Sequence, residues 1–219
     1  MSQQHVTTTA DTTLELRGLA CVRGERRLFA GLQATVVGGE LMRVRGDNGA
    51  GKTSLLRLIA GLAEPALGQV LWAGEDSRRV REPFQRALVY LGHASGIKDE
   101  LDPVENLLAA SALADEGLSR EAACDALRAM GLGERLALEC KVLSAGQRRR
   151  VALARLLLTR RRLWLLDEPF NALDPQAVQH LAGAIGRHLA AGGICLYTTH
   201  QAVDIPADKA RDLFLGGRA

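Results

Sequence analysis

The chain is 219 residues long, 47% hydrophobic and 24% charged, proportions ordinary for a globular protein and incompatible with a fibrous repeat or wholesale disorder. One domain with a sizeable core is the default at this length. The net charge is only +3 and aromatic residues make up 4%, which argues against a nucleic-acid binder.

A spanning helix needs about 20 mostly apolar residues, and the longest unbroken apolar run is Ala87–Leu91. Residues 1–12 are polar and lack the apolar stretch of a signal peptide, so they read as a disordered tail before a single domain over 13–219. Cys21, Cys124, Cys140 and Cys195 show no CxxC spacing. They read as reduced structural thiols of a cytosolic-type protein.

In chain order, Leu14–Val22 and Leu32–Val37 are strand-like runs with turn signals at Gly24 and Gly38-Gly39, suggesting antiparallel strands. Glu40–Arg45 alternates, with Met42 and Val44 on one face and Arg43 and Arg45 on the other. Behind it, SLLRLIAGL repeats apolar residues at helical spacing. Residues from about 93 to 150 are rich in Ala and Leu and read as a helical subdomain inserted into a sheet. Leu163–Leu166 and Ile194–Tyr197 have the short apolar character of buried parallel strands, separated by the amphipathic helix QAVQHLAGAIGRHLAA. The expectation is an α/β fold: a mostly parallel sheet core, an antiparallel β subdomain and an inserted α-helical subdomain. Two arginine triplets, 148–150 and 160–162, read either as a solvated helix face with its end or as an anion or membrane-surface patch.

Gly46, Asp47, Asn48, Gly49, Ala50, Gly51, Lys52 and Thr53 satisfy G-x-x-x-x-G-K-[ST], with Ser54 continuing into the helix. Glycines let backbone N–H groups turn inward around phosphate oxygens, and the helix aims its positive end at them. Lys52 supplies a charge for the β- and γ-phosphates, and the Thr53 hydroxyl can ligate Mg²⁺. Asp167 and Glu168 close the LWLL strand, at the end where parallel sheets hold ligands. Asp167 is the candidate second Mg²⁺ partner, and Glu168 could orient or deprotonate an attacking water.

Leu143, Ser144, Ala145, Gly146 and Gln147 precede an apolar-striped helix that Ser144 can cap. This LSAGQ run resembles the signature motif of the ABC ATPase family. It lies between the P-loop and LWLLDE, and is followed by Asn171-Ala-Leu-Asp174, similar to the family's D-loop, and by His200, similar to its switch histidine. The resemblance spans Leu14 to Leu215 and makes the chain a P-loop NTPase of that family. It implies ATP as cofactor and a head-to-tail dimer in which Ser144 and Gly146 of one copy face the γ-phosphate held by the other. It also implies that His200 holds the γ-phosphate and water while Asp174 couples the two sites.

Where most relatives carry a Mg²⁺-sensing glutamine, this chain has His93, and where they stack an aromatic on adenine it has Arg23. Asp47 stands where many carry proline, and is expected to point away from phosphate. GHxxGIKxEL…ENL, SAGQRRRVALARL, LWxLDEPFxALD and TTHQ together resemble the ATP-binding subunits of haem exporters in cytochrome c maturation. That resemblance implies a peripheral protein on the cytoplasmic face of the bacterial inner membrane. Its partners would be integral membrane subunits, CcmB-like with CcmC- and CcmD-like companions as candidates, docking near His93 to Glu105, and indirectly a haem chaperone. Haem translocation and release of a haem-loaded chaperone both remain open. The alternatives are the ATPase of another small exporter and a soluble ABC ATPase acting on nucleic acid.

Overall fold

The computed structural model describes residues 12–200 and 203–216. The expected tail lies outside them except for Thr12, which is buried and accepts a hydrogen bond from the Gly38 N–H at 2.9 Å. Two sheets form. Strands β1 (Thr13–Arg23), β2 (Arg26–Val37), β4 (Leu67–Trp72) and β5 (Glu75–Asp76) make an antiparallel sheet in the order β2-β1-β4-β5. Strands β3 (Glu40–Arg45), β6 (Leu88–Leu91), β7 (Leu163–Leu166), β8 (Ile194–Thr198) and β9 (Lys209–Phe214) make a parallel one in the order β6-β7-β8-β3-β9.

The parallel sheet is covered on both faces, because alternate residues of its strands enter different cores. Leu163 and Leu165 of β7, Leu196 of β8 and Met42 and Val44 of β3 pack with helix α1 (Lys52–Ile59) and with Leu14, Leu16 and Leu19 of β1. Trp164 and Leu166, Tyr197 and Leu41 pack on the opposite side with helices α3 (Pro103–Leu113), α4 (Arg120–Ala129), α5 (Ala145–Ala154) and α6 (Pro175–Ala190). The arginine face of β3 is closed by ion pairs, Arg43 at 2.5 Å and Arg45 at 3.1 Å from the two Asp212 carboxylate oxygens of β9.

Helices α3, α4 and α5 fall between β6 and β7, neighbours in the sheet. Each has a local start signal. Asp102 and Glu105 form a reciprocal capping box before α3, with Pro103 in its first turn. Ser119 caps α4, and Ser144 with Gln147 forms a second box at α5.

Several elements depart from the expected pattern. Strand β2 begins at Arg26 rather than Leu32, since Arg27 and Phe29 pair with Val22 and Cys21 across the hairpin. Strands β4 and β9 carried no distinct signal, because their partners β1 and β3 are remote in sequence, and neither did the two-residue strand β5 or helix α2 (Arg81–Ala87). Neither arginine triplet is simply solvated. Arg149 is only 8% exposed, and Arg161 pairs with Glu116 at 2.9 Å while donating to the Leu88 carbonyl oxygen. Among the described residues, no helix is long and apolar enough to cross a membrane.

Candidate active site

The loop from Gly46 to Gly51 joins β3 to α1, and its shape depends on missing side chains. Gly46, Gly49 and Gly51 have φ of 145°, 81° and 101°, values that L side chains resist. A Cβ on Gly46 would stand 2.4 Å from the Leu215 carbonyl oxygen, and one on Gly51 would press on Leu28 and the Phe29 ring at 3.2 Å. Lys52, at the first position of α1, is buried and curls back over the loop. Its ammonium donates to the Gly46 and Asp47 carbonyl oxygens at 2.7 and 3.1 Å. No carboxylate pairs with it among the described residues, so its positive charge is unneutralised. Asp47 and Asn48 are exposed at the tip, and the Ala50 N–H bonds the Asp47 carbonyl oxygen at 3.1 Å.

A cleft of roughly 340 Å³ opens beside this loop. Asn48, Gly49, Lys52, Thr53, Ser54 and Glu168 line it, together with Arg23, Arg26 and Leu28 from the β1–β2 hairpin. Arg23 thus lines the same cleft as the P-loop. Arg26 and Leu28 were not foreseen, since only the hairpin's folding over the loop brings them there.

Asp167 follows β7 directly at 2% exposure, and two hydroxyls hold its carboxylate. Thr53 Oγ1 donates to one oxygen at 2.8 Å, and Thr198 Oγ1, from β8, donates to the other at 2.7 Å. The Thr198 oxygen in turn accepts from the Glu168 N–H at 2.8 Å. Thr198 was missed because a threonine at a strand end has no sequence signal of its own. Glu168 has a left-handed backbone, φ 47°, uncommon outside glycine. One of its carboxylate oxygens lies 3.4 Å from His200 Nε2, and the other accepts from the Asn171 side-chain amide.

The remaining expected residues lie around this centre. Leu143 is buried and Ser144 exposed, with the Ser144 hydroxyl accepting from the Gln147 N–H. Ala145 is exposed, and Gly146 packs so closely on the D-loop that a Cβ would meet the Ala172 carbonyl oxygen at 2.8 Å. Asp174 caps α6 and pairs with Arg150 at 3.1 Å. None of Leu143 to Gln147 lines the cleft of the same chain, and His93 is exposed outside it.

These donors fit a nucleoside triphosphate with a hard cation: a glycine cradle without Cβ atoms, an unneutralised ammonium, and a hydroxyl beside a carboxylate of the kind Mg²⁺ accepts. The model of the ABC transporter family matches residues 29–171. The cytochrome c biogenesis ATP-binding export protein CcmA of Dechloromonas aromatica is 56% identical over 203 residues, covering 93% of this chain and 100% of that protein. The chain belongs to the CcmA branch of the ABC transporter family. The CcmA of Pseudomonas aeruginosa is 50% identical over 188 residues, 86% of this chain and 93% of that one. Among solved structures, an ATP-binding ABC transporter protein from Pyrococcus furiosus shares the fold with a TM-score of 0.79 and 24% identity, covering 92% and 98% of the two chains. The structure of an ATP-binding subunit of an ABC transporter aligns with a TM-score of 0.74 and 30% identity over 86% and 80%. The α/β architecture is therefore the ABC ATPase fold, and the CcmA-type chain is an ATPase.

Proposed function

We propose that this chain is the ATP-hydrolysing subunit of a membrane export complex serving c-type cytochrome biogenesis. The observation that carries the catalytic part is the convergence of Thr53, Asp167, Thr198 and Glu168 at the mouth of the P-loop. Thr53 and Asp167 would hold Mg²⁺, and the cation would neutralise developing charge on the phosphates. Lys52 and the loop N–H groups bind the β- and γ-phosphates. Glu168 orients the attacking water and takes its proton as the γ-phosphoryl is transferred, giving ADP and phosphate. His200, beside Glu168, steadies the water and the γ-phosphate, and Arg23 lies flat on the adenine.

Ser144 and Gly146 stand apart from the cleft of their own chain. In the proposed head-to-tail dimer they bring the positive end of α5 to the triphosphate of the second copy. Asp174 and Asn171 link the two surfaces. Hydrolysis removes the γ-phosphate that joins the copies. We place the chain on the cytoplasmic face of the inner membrane, bound to integral subunits through the surface around His93 to Glu105. Its work there is haem export or release of a haem-loaded chaperone. The relatives at 50–56% identity, named for cytochrome c biogenesis and export, support that assignment over another exporter or a nucleic-acid enzyme.

The decisive experiment is Glu168→Gln. The variant is expected to bind ATP, to lose turnover and to accumulate as a nucleotide-bound dimer in light scattering. Normal hydrolysis would remove Glu168 from its role. A strictly monomeric ATP-bound form would remove the dimer. Affinity isolation from membranes and rescue of cytochrome c assembly in a deletion strain test the biological part.

A further inference from the structure

Arg149, on the first half of α5, points inward from the helix that carries LSAGQ. The residue is only 8% exposed, and its guanidinium fork spans two separate pieces of chain. Nη1 donates to the Gly92 carbonyl oxygen at 2.6 Å, at the end of β6 just before His93. Nη2 donates to the Asp167 carbonyl oxygen at 2.7 Å and reaches that of Glu168 at 3.3 Å.

As a source of stability this arrangement is poor. Burial strips water from the guanidinium and lowers its pKa, a loss that the nearby charges of Asp167 and Glu168 only partly offset, since among the described residues no carboxylate lies within ion-pair distance. The fork is placed well for something else. The backbone at Glu168 is held at φ 47°, a strained conformation that persists only where its surroundings enforce it. Thr198 holds the N–H of that residue, and Arg149 holds the carbonyl oxygens on either side of its Cα–N linkage.

We infer that Arg149 is a positioning residue for hydrolysis: its bidentate grip on Gly92 and the Asp167–Glu168 turn aims the Glu168 carboxylate. The inference rests on the role proposed above for Glu168. Because Arg149 is part of the signature helix, a shift of α5 moves the fork and with it the turn that bears the carboxylate. The grip needs a planar, two-pronged donor, so lysine does not replace it despite its charge.

The test compares Arg149→Lys, Arg149→Met and Glu168→Gln in the full chain as isolated from membranes. ATP affinity, KM, kcat and thermal midpoint are measured for each. Arg149→Lys is expected to keep nucleotide affinity and KM within about twofold while kcat falls about 10- to 100-fold, as misplacing a catalytic group by an ångström does. Arg149→Met is expected to lose at least as much kcat. A wild-type kcat in Arg149→Lys overturns the inference, as does a loss fully accounted for by a smaller folded fraction or weaker ATP binding. If Glu168→Gln is inactive while Arg149→Lys is normal, the positioning role fails alone. If Glu168→Gln hydrolyses normally, the catalytic reading fails and takes the positioning role with it.

Discussion

Thr53 and Asp167 are 114 residues apart in sequence, yet their hydroxyl and carboxylate oxygens are 2.8 Å apart. The contact joins the first turn of α1 to the end of β7, and it brings together two oxygen donors that suit Mg²⁺. Asp167→Asn keeps the shape and removes the charge. It is expected to weaken the Mg²⁺ dependence of hydrolysis by at least about tenfold. ATP binding measured in EDTA should be unaffected. A magnesium titration of ATPase activity checks both.

Thr198 works in two directions, donating to Asp167 and accepting from the Glu168 N–H. Thr198→Val removes both bonds at nearly constant volume in a fully buried position, at an expected cost of about 1–3 kcal/mol. Hydrolysis should fall with it, and Thr198→Ser should behave as wild type. Urea denaturation beside an ATPase assay separates the two effects.

Gly46 has φ 145° and no space for a methyl group, since the Leu215 carbonyl oxygen stands against it, held there by the Leu215 N–H donating to the Arg45 carbonyl oxygen at 2.8 Å. Gly46→Ala should therefore either displace β9 from β3 or distort the loop. The expected loss is about 2 kcal/mol or more of folding stability. A shifted urea midpoint together with weaker ATP binding would report it.

His188, stacked on Trp164 with ring centroids 4.0 Å apart, is mostly removed from water, and burial pushes its pKa down to about 4. A depressed histidine binds fewer protons folded than unfolded, so its contribution is complete above the ordinary value of about 6.5 and is lost as pH falls toward 4. Acidifying from pH 7.5 to 5 should cost about 2 kcal/mol through this residue. His188→Phe should flatten that part of the stability curve. Thermal midpoints across the range test the difference, and parallel curves would remove His188 as the cause.

The parts of the site that could be read from sequence are those encoded by neighbours. The P-loop, the carboxylates after LWLL and the capped LSAGQ helix each concentrate their signal in a few adjacent residues. Thr198, Arg26 and Arg149 do not. Arg149 reads as one of three solvated arginines until the fold assembles carbonyl oxygens from Gly92 and Asp167 around it. The same holds for β4 and β9, whose pairing with β1 and β3 supplies what their composition does not. Met42 and Val44 faced the core as expected, and Arg43 and Arg45 found Asp212, a partner that no local pattern announces.

Strand β3, which delivers the P-loop, lies between β8 and β9. Both of those flanking strands come from the last part of the described chain, at Ile194–Thr198 and Lys209–Phe214. During synthesis from the N-terminus, the loop that grips phosphate emerges early, while the strand beneath it has neither ladder partner. The nascent polypeptide cannot complete its nucleotide cleft on the ribosome until residues 194–215 have left the exit tunnel. ATP can therefore act as a ligand that stabilises the fold only after these two late strands have been made.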